Sequence, residues 1–227
     1  MIAIGELYFF NLIKDECNLV FDIGAQEDIH YIEIEPRIEY HLFEPNLTLY
    51  NGILRKLEKY PNAKAKVNPF GLGDWTGELT YYPDSQSFFL RTVHMQSNPE
   101  LAITCSIKDF KEYIQENNIN HIDFMKIDTE GGEPDILLPN SKFIKSNVDF
   151  IQFEYASTWL DRPDEPNIYE VYDMFKNVFD FYILFNSAHP ISKYRVDMLT
   201  KIDRPMLFEI EQYMNNQYGF EIAMMRG

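Results

Sequence analysis

Short apolar runs that each end near an acidic residue recur along this 227-residue chain, with helix-forming segments between them. Strands that alternate with helices in this way are typical of βαβ units, which build a mainly parallel sheet with helices on both faces. Ligands bind at the carboxyl ends of parallel strands. We therefore expect five acids to gather along one edge of the sheet. They are Asp22, Glu44, Asp74, Asp128 and Glu154.

The pattern predicts a single domain over residues 1–227, with a short N-terminal extension at 1–17 and a polar, irregular segment at 84–100 that could act as a lid. The predicted extended segments are residues 18–23, 38–43, 65–72, 77–83, 103–106, 121–128, 148–153, 179–185 and 220–225. The predicted helices are a short one within 26–34, limited by Pro36, then 47–60, 107–117, 134–138 and 169–178, and one more in the tail from residue 206.

A net charge of −16 narrows the classes of partner. Nucleic-acid phosphates require basic patches, and an anionic membrane surface would be repelled by the same field. A neutral or cationic small molecule is easier to accommodate, although the excess acid could serve solubility alone. Two distant cysteines, Cys17 and Cys105, fit a reducing compartment. The N-terminal segment lacks the features of a signal peptide, and no apolar run has the length of a membrane span, so we expect a cytoplasmic protein.

The first predicted strand end has the features of a cofactor turn. Gly24 follows Asp22 and would allow the backbone to approach a ligand closely. The fingerprint Gly-x-Gly-x-x-Gly is absent, because the next glycine is Gly52, so a pyrophosphate-binding turn is not indicated. Glu44, about 20 residues further on, is placed to accept hydrogen bonds from ribose hydroxyls. The alternatives are a plain strand-to-helix turn at Gly24 and a solvated loop acid at Glu44.

A third cluster follows the strand predicted at residues 121–128. Asp128, Glu130 and Glu133 would crowd together at a Gly-Gly turn, and like charges this close raise at least one pKa. Such a group suits a general base, and it would also suit a metal ion. Acids that merely decorate a helix start are the alternative. Lys126 could anchor a substrate or pair with a nearby acid.

Two histidines are further candidates for the base. His189 follows the strand predicted at 179–185, and His94 lies in the suspected lid. Both could equally be surface residues.

Three motifs in the same order resemble the FkbM-type methyltransferases that use S-adenosylmethionine. They are Val20-Phe21-Asp22-Ile23-Gly24-Ala25, His41-Leu42-Phe43-Glu44-Pro45-Asn46 and the stretch from Ile122 to Glu133, which contains Lys126-Ile127-Asp128-Thr129-Glu130-Gly131-Gly132-Glu133. Gly71-Leu72-Gly73-Asp74 and Ile151-Gln152-Phe153-Glu154 fit the same order, so the resemblance covers residues 18–156.

The resemblance implies a Rossmann-like class I methyltransferase fold, a mainly parallel seven-stranded sheet with the last strand inserted antiparallel. It also implies O-methylation of a sugar, a glycan or another small-molecule hydroxyl. The residues that it assigns to S-adenosylmethionine are Asp22, Gly24 and Ala25 for the methionine part, Glu44 and Pro45 for the ribose, Gly73 and Asp74 near the adenine, and Asp128.

For the chemistry, we expect Asp128 or Glu130 to be the general base, with Glu154 as a further candidate. A divalent metal is not favoured. The first loop departs from the family, because Gln26 stands where Asn is usual and Asp28 stands where a second Gly is usual. Two other functions stay open: a methyltransferase-like interaction module without activity, and a metal-using carboxylate enzyme.

Overall fold

The computed structural model describes residues 4–83, 98–156, 158–159, 166–184, 199–214 and 219–227. The strands are β1 Leu19–Ile23, β2 Glu39–Phe43, β3 Lys64–Asn68, β4 Gly71–Gly73, β5 Gly77–Tyr81, β6 Ile103–Asp109, β7 Ile122–Ile127, β8 Val148–Tyr155, β9 Phe179–Leu184, β10 Leu199–Lys201 and β11 Phe220–Arg226. The α-helices are α1 Ile4–Ile13, α2 His30–Ile34, α3 Leu47–Leu57, α4 Phe110–Glu116, α5 Glu133–Leu137, α6 Ser141–Asn147, α7 Ile168–Phe175 and α8 Arg204–Met214.

Within the described part of the chain, eight strands form the central sheet, in the order β10-β9-β11-β8-β7-β1-β2-β3. The neighbouring strands β8, β7, β1, β2 and β3 run parallel to one another. β11 lies antiparallel between β8 and β9. The predicted mainly parallel α/β fold with an inserted antiparallel strand is confirmed. The predicted count of seven strands is one too low, because β10 has only three residues and shows no apolar alternation.

The strand that was predicted at residues 65–72 is split between two sheets. Its first part is β3 of the central sheet, and its last part is β4 of a separate three-stranded sheet with the order β4-β6-β5. Pro69 separates β3 from β4, and a proline cannot donate to a sheet ladder. Asn68 ends β3 and uses its side-chain amide to bond the Leu42 carbonyl at 3.0 Å. The predicted helix at 107–117 is also too long. Residues up to Asp109 belong to β6, and the Asp109 side chain then caps α4 by accepting the Glu112 N–H at 2.9 Å.

The N-terminal segment, predicted as an extension, contains α1, which packs against the central sheet. Phe9 and Phe10 are fully buried. Their rings lie 5.9 Å and 5.8 Å from the ring of Phe124 on β7. This helix therefore covers one face of the sheet and belongs to the core.

The face under α1 changes character along the strands. Val20 and Phe124 are apolar and buried towards the amino ends. Two residues further on, Asp22 and Lys126 stand side by side in the register. Because strand side chains alternate, these polar residues continue the same face. The core thus ends in a polar row at the carboxyl edge. Among the described helices, the longest of which have 11 residues, none could serve as a membrane span.

Candidate active site

Three strand ends are joined by main-chain hydrogen bonds at the Gly24 turn. The N–H groups of Gly24 and Ala25 both donate to the Phe43 carbonyl, at 3.0 Å and 3.1 Å. The Asp128 N–H donates to the Ile23 carbonyl at 2.9 Å. Gly24 has φ +83°, and a Cβ there would lie 1.7 Å from the Asp128 carbonyl oxygen. Glycine is therefore required at this turn by both conformation and space.

Glu44 closes the same turn from the end of β2. Its carboxylate accepts the N–H of Gln26 at 2.9 Å and that of Asn46 at 2.8 Å. Burial raises the pKa of Glu44 to about 7, although these two hydrogen bonds act in the opposite direction. A carboxylate has about four acceptor positions, so Glu44 retains capacity for hydroxyl donors.

The first loop is bonded to neighbouring helices through Asp28 and Glu27. Asp28 lies 3.2 Å from His30 Nε2 and 3.8 Å from Lys56 Nζ. The Glu27 carbonyl accepts a hydrogen bond from Lys56, and the Glu27 side chain lies against Gly52 of α3. Gln26 adopts φ 53°. Asp28 thus binds the loop to α2 and α3, whereas Gln26 is bonded through its N–H to Glu44.

Lys126 connects the first loop with the motif turn. Its ammonium lies 3.1 Å from Asp128 Oδ2, 3.7 Å from Asp22 Oδ1 and 3.3 Å from the Gly24 carbonyl. Of the two roles considered for Lys126, the structure shows pairing with acids. Burial raises the pKa of Asp22 to about 6 despite the opposing charge of Lys126. Asp22 Oδ1 is buried, and none of the described residues donates a hydrogen bond to it.

Asp128, Glu130 and Glu154 form an acidic triad, with carboxylate oxygens within 4.8 Å of one another. The pKa of Glu130 is raised to about 8, first by burial and then by the charges of Asp128 and Glu133. Burial, followed by Asp128 and Glu130, raises the pKa of Glu154 well above its ordinary value. A base with a pKa near working pH suits general-base catalysis, and three carboxylates could also hold a hard divalent cation.

Glu133 was predicted to crowd together with Asp128 and Glu130, but Glu154 takes that place in the triad. Glu133 is fully buried beneath the turn between β7 and α5. There it accepts hydrogen bonds from Thr129, Gly131 and Trp159.

The residues assigned to the adenine end are placed on and beside the small sheet. A Cβ on Gly71 of β4 would lie 3.7 Å from the Pro45 ring, so β4 adjoins the end of β2. Gly73 is buried in β4, whereas Asp74 is exposed. None of the contacts found among the described residues joins Asp74 to the triad.

Sequence reasoning did not single out Tyr81 and Cys105 of the small sheet as site residues. Both are buried, and both have a pKa raised first by burial and then by the charge of Glu44, to about 11 for Cys105. Their β5–β6 pairing could not be read from local patterns. His94, His189 and residues 84–97 of the predicted lid lie outside the described residues.

A second group with metal-ligand spacing lies at the opposite, amino edge of the sheet. His121 Nε2 is 2.9 Å from Asp149 Oδ2 and 3.4 Å from Asp123 Oδ1. Asp123 already accepts the N–H groups of Asn18 and Leu19, both at 2.8 Å. The group therefore ties together the amino ends of β1, β7 and β8.

Comparison with known proteins gives a family and a fold. The family model of the methyltransferase FkbM domain matches residues 22–222. No curated protein matches the sequence. The FkbM methyltransferase from Methylobacillus flagellatus KT superposes with a TM-score of 0.51 at 14% identity. That match covers 82% of this chain and 42% of the other, so the chain spans less than half the length of that relative.

Two further solved structures are similar over nearly their whole length. SMU.1697c from Streptococcus mutans, solved in complex with SAH, gives a TM-score of 0.54 at 8% identity and covers 100% of both chains. An rRNA methylase from Streptococcus thermophilus gives 0.52 at 9% identity, covering 100% of this chain and 98% of the other. At such identities these likenesses show the fold, which is that of the class I methyltransferases.

Proposed function

The chain belongs to the FkbM methyltransferase domain family, and on that premise we propose that it transfers a methyl group from S-adenosylmethionine to a hydroxyl of a sugar, a glycan or another small molecule. The acidic triad of Asp128, Glu130 and Glu154, placed next to the Gly24 turn, is the observation that carries this proposal. The triad supplies a candidate general base, and it lies beside the turn that would bind the cofactor by resemblance to the family.

The residues at the three strand ends fit S-adenosylmethionine. The free acceptor capacity of Glu44 suits the ribose hydroxyls, and Asp22 Oδ1, which accepts no hydrogen bond from the described residues, suits a donor on the methionine part. When bound, the cofactor supplies an electrophilic methyl group on a positively charged sulfur. Carboxylates around the turn are compatible with that charge.

Within the triad we propose Glu130 as the group that receives the hydroxyl proton. Asp128 is paired with Lys126 at 3.1 Å, so one of its carboxylate oxygens is already engaged. Burial raises the pKa of Glu130 to about 8, so it would be a stronger base once it has lost its own proton. General-base assistance of this kind is worth about 10²–10⁴-fold in rate.

Cofactor binding can be tested by thermal unfolding with S-adenosylmethionine or S-adenosylhomocysteine. Ligand at ~100 times its Kd adds about 2.7 kcal/mol, which raises the Tm of a domain of this size by roughly 5–10 °C. Glu44→Gln should reduce this rise, because the amide replaces one of the two acceptor oxygens with an N–H donor. Glu58→Gln, at an exposed position after α3, is the control. No rise with either compound in the wild type would overturn the proposal.

The triad also favours a second candidate, a metal-using carboxylate enzyme. A rise in Tm with Mg²⁺ or Mn²⁺ alone, lost in Asp128→Asn and Glu130→Gln, would support it. The acceptor itself is identified by the mass and linkage of the product after incubation with candidate glycans and small hydroxyl compounds. A cytoplasmic location and the absence of nucleic-acid and membrane partners remain part of the proposal.

A further inference from the structure

We propose that Glu133 is a positioning residue for the Glu130 carboxylate, acting through the turn between β7 and α5 and supported by Trp159. The inference rests on the proposed function, in which Glu130 receives the proton of the acceptor. It gives a role to an acidic residue of the motif that the chemistry itself does not use.

The Glu133 carboxylate is the centre of a buried hydrogen-bond network. Its Oε1 accepts the Thr129 N–H at 2.6 Å and the Thr129 hydroxyl at 2.9 Å. Its Oε2 accepts the Gly131 N–H at 3.1 Å and the Trp159 indole N–H at 2.8 Å. The side chain is fully buried. These four hydrogen bonds engage both carboxylate oxygens in a buried site, where leaving a donor unpaired would be costly, so the network fixes the turn.

The network fixes the backbone on both sides of Glu130, since Thr129 and Gly131 are its two neighbours in the chain. Glu130 has φ 56°, a left-handed conformation that is unfavourable for a residue with a long side chain. Such a conformation persists only where the surroundings determine it. Here the surroundings are the two flanking N–H groups, both bonded to Glu133.

Trp159 extends the network to the strand that carries Glu154. Its indole is fully buried and lies 6.2 Å from the ring of Phe153 and 4.8 Å from that of Tyr155, both on β8. Glu154 lies between these two residues in the chain. Glu133 is thus linked to the backbone of Glu130 on one side and, through Trp159, to the neighbours of Glu154 on the other. This arrangement explains how Glu130, on the turn after β7, and Glu154, on β8, are held with their carboxylate oxygens within 4.8 Å of each other.

A consequence for acid–base chemistry follows from this geometry. Burial and the nearby Asp128 raise the pKa of Glu130 to about 8 only while the side chain stays inside the triad. If the turn relaxes, the Glu130 carboxylate can reach solvent, and its pKa should return towards its ordinary value of 4.5.

The test is a titration of the ¹³C-labelled glutamate carboxyl carbons by NMR, with Glu130→Gln used to identify the step that depends on Glu130. Thr129→Val and Trp159→Phe each remove one donor to Glu133 without changing any charge. Trp75→Phe, at an exposed tryptophan, is the matched control. We expect the midpoint of the Glu130 step to fall by about one pH unit or more in each donor variant, as its burial is lost, and to stay unchanged in the control.

An unchanged midpoint in a folded Thr129→Val or Trp159→Phe protein would overturn the proposal. If Trp159→Phe fails to fold, Thr129→Val decides alone, because it keeps the volume of the side chain and loses only the hydroxyl. A separate measurement of the Tm with S-adenosylhomocysteine distinguishes failure of this proposal from failure of the proposed function. A wild type without a thermal shift contradicts the cofactor, whereas the Glu130 titration reports on the turn in either case.

Discussion

At the scale of single residues, the site departs from the most stable local geometry. Glu130 is left-handed, and it lies with Asp128 and Glu154 in one acidic cluster. A conformation of this kind costs roughly 1–2 kcal/mol for a residue with a Cβ. Backbone strain of this kind is concentrated at functional sites, where it is retained although it lowers stability.

Replacing Glu130 should therefore stabilise the protein and impair its chemistry. Glu130→Gln removes the charge alone, whereas Glu130→Asn also supplies a residue that tolerates the left-handed conformation. We expect both variants to be more stable than the wild type at pH 8, with Asn ahead of Gln by about 0.5–1 kcal/mol. Urea unfolding gives the two values. Equal or lower stability of the Asn variant would show that the turn carries no strain.

At the scale of elements, α1 is part of the fold, although its sequence was assigned to an extension. Phe9 lies 5.9 Å from the Phe124 ring and 6.5 Å from the Phe150 ring. The strand residues that it covers are two positions before Lys126 and Gln152, which continue the same face of the sheet towards the carboxyl edge. The helix therefore stabilises the strands whose carboxyl ends carry the row of polar side chains.

Phe9→Ala should destabilise the protein by about 3–5 kcal/mol, the usual cost of removing a fully buried phenylalanine. The control on the same helix is Leu12→Ala. Leu12 is 49% exposed, so we expect a change within about 0.5 kcal/mol. Chemical denaturation measures both variants. A cost below about 1 kcal/mol for Phe9→Ala would mean that α1 is not packed on the sheet in solution.

At the scale of the whole molecule, the buried acids link stability to pH. The folded-state pKa is raised to about 7 for Glu44 and about 8 for Glu130, from an ordinary value of 4.5. A raised carboxyl pKa means that the folded state holds its proton more tightly. The stability from these two groups is fully present below about pH 4.5 and is lost as the pH rises through 7 and then 8. His41, whose pKa is lowered by burial, acts oppositely but only below about pH 6.5.

The ligand-free protein should accordingly lose stability as the pH rises above about 4.5, and its stability should level off near pH 8. We expect its Tm to fall by roughly 5 °C between pH 6.5 and pH 8, and in Glu130→Gln the fall should end near pH 7, where the loss from Glu44 is complete. Calorimetry at closely spaced pH values measures the profile. A flat profile in the wild type would contradict the raised pKa values of both carboxyl groups.

Much of the architecture could be predicted from local sequence. β1, β2, β7 and β8 are apolar runs that end near acids, and their residues encode strand and turn without reference to distant parts of the chain. The ends at Asp22, Glu44 and Asp128 were placed correctly for the same reason. The split of the strand predicted at 65–72 was missed, because which sheet a segment joins depends on partners such as β6, more than 30 residues away.

The sequence by itself determined the class of fold, its family and the strand ends at which the site is built, because periodicity and short motifs act over a few residues. Only the tertiary structure decided that Glu154 meets Glu130, that Lys126 pairs with Asp22 and Asp128, and that Glu133 lies buried beneath its own turn. These contacts depend on the register between strands and on packing against Trp159. A motif does not show whether a glutamate takes part in the reaction or holds the backbone in place, and only its three-dimensional neighbours distinguish the two roles.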